Sequence, residues 1–220
     1  MAYRVTGDPV SPPMVLLHAL GEDGANWDEV AAAFAGAWRV YAPDLRGHGR
    51  SDWPGDYSFG HMRDDVLGLI DALDLDRVTL IGHSMGATVA YLLAEEHPER
   101  VGRLVIEDAP PPRPRSRPVP ERPPGPLPFD WEMVLAIHQQ LGDPDPAWWE
   151  NATAIMAPTL ILAGGPGSHI PQDQLEDAAG RIPAGRLVSI PAGHHIHTTM
   201  LTEFLTEVEG FLRSTGGTRD

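Results

Sequence analysis

Short apolar runs alternate with longer amphipathic stretches along most of this chain. Residues 15–17, 39–42, 78–81, 104–107, 159–163 and 187–190 are β-branched or leucine-rich runs of strand length. Between the second and third of them, Phe59, Met62, Val66, Leu69, Ile70 and Leu73 recur at the spacing that lines one face of a helix. A run of small residues over 87–94 and a patch over 131–141 also read as helical. Strands and helices of these lengths in alternation predict an α/β fold, a mostly parallel sheet covered by helices on both faces. In such sheets ligands bind beyond the carboxyl ends of the strands.

The rhythm breaks once. Ten prolines fall within 109–129, interleaved with Arg113, Arg115, Arg117 and Arg122. Proline denies backbone donors to helix and sheet, so this stretch is expected to be extended or irregular. The helical patch and the Trp148-Trp149 pair follow before the sheet resumes at Thr159. Residues 109–157 are therefore expected to form a lid inserted over the sheet's carboxyl edge, with 1–108 and 158–220 as the core. A solvated polyproline linker is the alternative, but a linker should join two domains, and this segment interrupts one sheet.

Composition narrows the chemistry. A chain of 220 residues can bury one good core. No apolar run approaches the roughly 20 residues of a membrane helix, and the amino terminus lacks a secretory apolar core. Cysteine is absent, which excludes disulfides, thiolate metal sites and a cysteine nucleophile. Together these features predict a cytoplasmic protein. A net charge of −15 argues against nucleic acid and anionic membrane surfaces as partners. All 16 cations are arginine, so lysine Schiff-base chemistry is excluded too.

The chemistry gathers at strand ends. Gly82-His83-Ser84-Met85-Gly86 lies where an apolar run gives way to a helical one, the context a G-x-S-x-G turn requires. A serine there takes strained backbone angles that lift its hydroxyl clear of the sheet, and side chains at 82 and 86 would collide with neighbouring elements. Serine is a poor nucleophile at neutral pH and needs a base. His194 is the candidate, because imidazole titrates near neutrality and this residue follows the last strand. His195 and His197 lie beside it, and His197 is expected to pack or bond locally. A metal site on the three histidines lacks a carboxylate at ligand spacing and would consume the base, so no metal is expected. The amide of Met85, at a helix start, is a natural donor to an oxyanion.

Four motifs give the chain a resemblance to the α/β-hydrolase-fold serine hydrolases over about residues 14–211. His18-Ala19-Leu20-Gly21 with Trp27 resembles the family's His-Gly-x…Trp stretch, although alanine replaces the usual glycine. Asp44-Leu45-Arg46-Gly47-His48-Gly49-Arg50-Ser51 is similar to its Asp-x-Arg-Gly-x-Gly-x-Ser loop, where a structural role is expected and Arg46 should pair with a carboxylate. The serine turn is third, and Gly193-His194-His195-Ile196-His197 resembles the Gly-His-x-x-His before the last helix. The resemblance implies the Leu20 amide as the second oxyanion donor. His18 and Trp27 are expected to shape that loop and, with His83 and Trp131, to border the substrate pocket. In most of the family the triad acid sits in a Gly-x-x-Asp frame after the penultimate strand; here the frame is Gly164-Gly165-Pro166-Gly167, and the acid slot holds glycine. Some relatives carry the acid one strand earlier, where this chain has Glu107-Asp108. Asp108 is the expected acid because it falls at the strand end; Glu107, Asp173 or no acid at all are the alternatives.

The expectation is a cofactor-independent serine hydrolase acting on a small ester, lactone or thioester through Ser84, His194 and Asp108. Rival readings are a carbon–carbon bond hydrolase or metal-free peroxidase with the same triad, and a non-catalytic ligand-binding protein on the same fold. The substrate and the oligomeric state are not legible.

Overall fold

The computed structural model describes residues 1–215. Its centre is a seven-stranded sheet in the order β1-β3-β2-β4-β5-β6-β7. The strands are β1 (Tyr3–Thr6), β2 (Pro13–Leu17), β3 (Arg39–Pro43), β4 (Val78–His83), β5 (Val101–Glu107), β6 (Thr159–Ala163) and β7 (Gly185–Ser189). All neighbours are parallel except β1, which runs antiparallel to β3. The fold class is the one the sequence pattern predicts.

The two-residue alternation of strand side chains divides the core into two layers. Val15 and Leu17 of β2, Leu104 and Ile106 of β5 face one layer, and Met14, Leu16 and Val105 face the other. The first layer is covered by α2 (Phe59–Ala72), α3 (Met85–Glu96), α4 (Trp131–Gly142) and α6 (Gln172–Arg181). The second is covered by α1 (Asp28–Phe34) and α8 (Leu201–Ser214), through Val30, Phe34, Phe204, Val208 and Phe211. β4 is buried along all six residues, as its apolar run requires at the middle of a two-sided sheet. Two short helices, α5 (Ala147–Glu150) and α7 (Ile196–Thr199), complete the chain order.

Two strands, β5 and β7, depart most from the sequence pattern, and a third, β1, is added to it. β5 starts at Val101, three residues early, because Gly102 and Arg103 are only half-buried and hide the strand's polar start. β7 is shifted to Gly185–Ser189 and is half-buried or exposed throughout, as an edge strand should be. β1 was not foreseen: Tyr3–Thr6 is mostly exposed and carries no apolar run, and its strand state comes from four paired residues on β3. Residues 109–128 carry neither helix nor strand. The segment is tied down at its far end, where the Gly49 amide donates to Pro128 O (2.9 Å) and the Asp130 amide to Gly47 O (2.8 Å). α4 then buries Met133, Val134 and Ile137 in the first core layer.

Candidate active site

Ser84 stands between β4 and α3 with φ 52° and ψ −110°, a backbone state that costs a non-glycine residue roughly 1–3 kcal/mol. The flanking glycines make the turn possible. A Cβ on Gly82 would lie 2.5 Å from Gly86 O, and one on Gly86 would lie 2.3 Å from Leu17 O. The start of α3 is thereby pressed against the end of β2, next to the loop that begins at His18. In that loop the Ala19 amide donates to Glu22 Oε2 (3.2 Å) and the Gly21 amide to His48 Nε2 (3.1 Å). Among the described residues, the Leu20 amide between them has no acceptor, nor has the Met85 amide. Two free donors, one at a helix start, are what an oxyanion needs. Ala19 itself is buried, so its methyl group is packed away from the surface.

His194 follows β7 and is held from two sides. Its Nδ1–H donates to Asp108 Oδ2 at 2.8 Å, and its backbone carbonyl accepts from His83 Nε2 at 2.8 Å. The first bond fixes the ring and leaves Nε2 as the basic nitrogen. The second ties it to the residue next to Ser84. No hydrogen bond joins Ser84 Oγ to that ring among the described residues; such contacts are often long in a free site and tighten with substrate. Asp108 lies one residue past β5, with φ 46°, and its amide extends the pairing by donating to Leu162 O (2.8 Å). Of the three non-glycine residues with positive φ among the described residues, two are therefore Ser84 and Asp108. Burial resists ionisation of Asp108, but donors from His194, Ser168 Oγ and the Gly164 amide outweigh it and hold its carboxyl below the usual range. The Gly164–Gly167 frame thus still contributes: the Gly164 amide and the neighbouring Ser168 hydroxyl both donate to Asp108.

Glu107 points the other way. Its carboxylate accepts from His197 Nδ1 (2.7 Å) and from the His197 amide (2.9 Å), while His197 Nε2 meets the Asn26 side-chain amide at 2.5 Å. Trp27 stacks on the His197 ring, 4.0 Å between centroids. His83, Glu107 and His197 bring ligand-type atoms within 4.8 Å of one another, all buried, and are the group that could hold a metal. The spacing the sequence lacked is supplied through space by Glu107. The His197–Glu107 atoms are already engaged with each other, which is the arrangement of a buried ion-pair network. Burial disfavours charge on His83, but Glu107 and Glu22 outweigh it and raise its affinity for a proton; Glu22 in turn is lowered to about 2, against burial, by His83.

The cleft beside Ser84 has a volume of about 100 Å³ and is bordered by Met85, Thr88, Pro110, His169 and Ile170. It corrects the expected pocket. His18, Trp27 and His83 are fully buried and do not line it. His18 is a loop fastener whose Nδ1 donates to Ala19 O (2.8 Å) and whose Nε2 accepts from the Leu45 amide (2.9 Å). Trp131 is partly buried against the first core layer and is not in the cleft wall either. Asp173 is at the start of α6 and makes no bond to His194. Arg46 does pair with a carboxylate, Asp65, through two bonds of 2.7 Å. Sequence reasoning missed Ser168 and His169; the latter packs edge-on against His194 at 4.4 Å. Their position next to the vacated acid slot was the available signal.

Comparison with known proteins agrees with this geometry. The family described as alpha/beta hydrolase fold matches residues 12–148. The mouse (Mus musculus) sn-1-specific diacylglycerol lipase ABHD11 is 27% identical over 94% of this chain and 82% of its own length. An uncharacterised Mycobacterium bovis protein is 39% identical over 49% of this chain, and the chain spans only 31% of that relative's length. The enol-lactonase from Burkholderia xenovorans LB400 superposes with a TM-score of 0.79 at 22% identity, covering 96% of both chains. No helix among the described residues is long and apolar enough to cross a membrane. With the family matched over more than half its length, a serine on a strained turn and a carboxylate-held histidine beside it, the chain belongs to the alpha/beta hydrolase fold family of enzymes.

Proposed function

We propose that this chain is a cofactor-independent serine hydrolase of small carboxylic esters, lactones or thioesters. The observation that carries the reading is the 2.8 Å bond from His194 Nδ1 to Asp108 at the side of the strained Ser84 turn. Ser84 Oγ attacks the carbonyl carbon while its proton passes to His194 Nε2. The carbonyl oxygen becomes an oxyanion held by the Met85 and Leu20 amides. Collapse breaks the bond to the leaving oxygen or sulfur, which takes the proton from Nε2, and an acyl-Ser84 ester remains. Water then attacks that ester with its proton going to Nε2, and the second collapse returns the proton to Ser84 Oγ and releases the acid. Asp108 stays ionised throughout and stabilises the imidazolium. The lipase and enol-lactonase likenesses support an acyl substrate.

Ser84→Ala tests the mechanism. Labelling by a fluorophosphonate should vanish and turnover of p-nitrophenyl esters should fall at least ~10³-fold with the fold unchanged. A ligand-binding protein without catalysis would not label at Ser84 in the first place.

Residues 109–157 act, in this reading, as the lid of the cleft, to which Pro110, Pro112 and Leu141 contribute. Arg113, Arg117 and Arg122 each precede proline and resist trypsin, so Arg115-Ser116 is the susceptible bond between Arg103 and Arg181. Limited trypsinolysis should cut there first, and a bound substrate analogue should slow the cut. First cleavage in the body of the domain would remove the lid role.

A further inference from the structure

The chain carries a net charge of −15, yet residues 109–129 hold four arginines and one glutamate. Three of those arginines, Arg113, Arg115 and Arg117, border the cleft that contains Ser84, and no aspartate or glutamate borders it. In a chain with 31 acidic residues, a cleft wall of one sign sets this surface apart from the rest.

The three side chains are not equally free. Arg113 Nη2 donates to Asp177 Oδ2 (2.9 Å), and its guanidinium lies 3.5 Å over the Trp149 ring. Arg117 Nε donates to Leu141 O (3.2 Å). Both are therefore held in place, Arg113 by Asp177 and Trp149 and Arg117 by the Leu141 carbonyl. Arg115 is fixed only through its backbone, whose amide donates to Gly142 O (3.1 Å). Its guanidinium is exposed and has neither hydrogen bond nor ion pair among the described residues. The crowding of like charge is felt by the neighbours. Burial, and after it the charge of Arg115, lowers the proton affinity of Arg117; His169 is lowered by burial first, and His194 and Arg115 act in the same direction. A solvated loop would relieve that repulsion by turning its arginines outward. Here two of the three are pinned at the cleft and the third stands beside them with its five donors unused.

We propose that the cleft takes a substrate bearing an anionic oxygen group, a carboxylate or a phosphate, remote from the scissile carbonyl, with Arg115 as the direct contact. The guanidinium fork matches either group in two parallel bonds, and Arg117 and Arg113 supply the surrounding positive field. His169 and Gln174, also on the wall, provide neutral hydrogen-bonding groups to the same space. The inference rests on Ser84 as the nucleophile for the substrate it positions, but the anion site itself can be tested without turnover.

The kinetic test uses substrates matched except for charge: monomethyl glutarate against methyl 4-carbamoylbutanoate for the carboxylate, and 2-acetoxyethyl phosphate against 2-methoxyethyl acetate for the phosphate. The ratio of kcat/KM, anionic over neutral, should exceed one in at least one arm, and that arm names the anion. Arg115→Gln should lower the ratio about tenfold and Arg117→Gln by less. Raising the salt concentration should lower the wild-type ratio as well. A ratio at or below one in both arms, or one that Arg115→Gln leaves unchanged, overturns the proposal. Calorimetric titration of glutarate and of inorganic phosphate into the Ser84→Ala protein separates this failure from failure of the hydrolase reading. Binding that Arg115→Gln abolishes supports the anion site even if no ester is turned over, and absence of binding by both anions counts against it.

Discussion

Two carboxylate–histidine pairs sit back to back at the end of β5. Asp108 holds His194 at 2.8 Å and Glu107 holds His197 at 2.7 Å, so the bonds themselves are equivalent. The carboxylates are consecutive and the histidines three residues apart; Glu107 ends β5, whereas Asp108 lies just past it with φ 46°, so the two side chains turn to different histidines. What differs is what surrounds them. The His194 side chain retains 12% of its exposure and its Nε2 is unengaged, whereas the His197 side chain is fully buried, with Asn26 at Nε2 and Trp27 stacked on the ring. A hydrogen-bonded acid–imidazole pair is therefore not by itself a catalytic device. It becomes one where the second nitrogen is left open beside a nucleophile; sealed in, the same pair fastens β5 to the segment that precedes α8.

The most severe way to break that contrast is Asp108→Asn. The amide cannot hold Nδ1–H as the carboxylate does, the imidazolium loses its counter-charge, and kcat of the folded protein should fall by about 10³–10⁴-fold. Glu107→Gln should do the reverse. Removing one member of a buried pair typically costs about 3–5 kcal/mol, so the urea midpoint should drop sharply while kcat of the folded fraction stays within ~10-fold. Glu107 is held below its ordinary range by His83 and His197 against the opposing effect of burial. Its contribution to stability is then present above the unfolded glutamate value and lost as pH falls below it, and the variant should lose that component of acid sensitivity. If Glu107→Gln abolished turnover in a stable protein while Asp108→Asn unfolded it, the two roles would be exchanged.

The half of this contrast proposed as catalytic was far more legible than the other half. Ser84 is announced by glycines that contact forces on the turn, and Gly82 and Gly86 have no room for a side chain. Asp108 was reachable because the usual slot holds Gly167 and the preceding strand, β5, is followed at once by a carboxylate. Neither argument speaks to Glu107–His197, whose partners lie 90 residues apart and meet only once β5 and the last helices pack. The expected pocket residues failed for a related reason. His18, His83 and Trp27 belong to the motifs, but all three side chains are fully buried, and membership of a motif does not decide which way a side chain turns. β1 left no apolar trace because its strand state is imposed by β3 across an exposed edge.

A third buried carboxylate supplies the control for both pairs. Glu95, near the end of α3, is 8% exposed, and its Oε1 is buried without a hydrogen-bond partner among the described residues. No histidine faces it. Burial, aided by the neighbouring Glu96, raises its carboxyl to about 8, opposite in direction to Asp108 and Glu107. The unfolded chain releases this proton near the ordinary value of 4.5, whereas the folded chain keeps it until about pH 8. Between those values the folded state binds more protons than the unfolded state, so stability must fall as pH rises through that window. Glu95→Gln keeps the shape, removes the titration and should stabilise the protein by about 4 kcal/mol at pH 8, with the gain vanishing near pH 4. Urea midpoints of the two proteins measured from pH 4 to pH 9 check this, and kcat should be untouched because Glu95 is not part of the cleft wall. Parallel stability curves across the range would mean that Glu95 ionises in the fold without a histidine, and that the partner is not what keeps Asp108 and Glu107 charged.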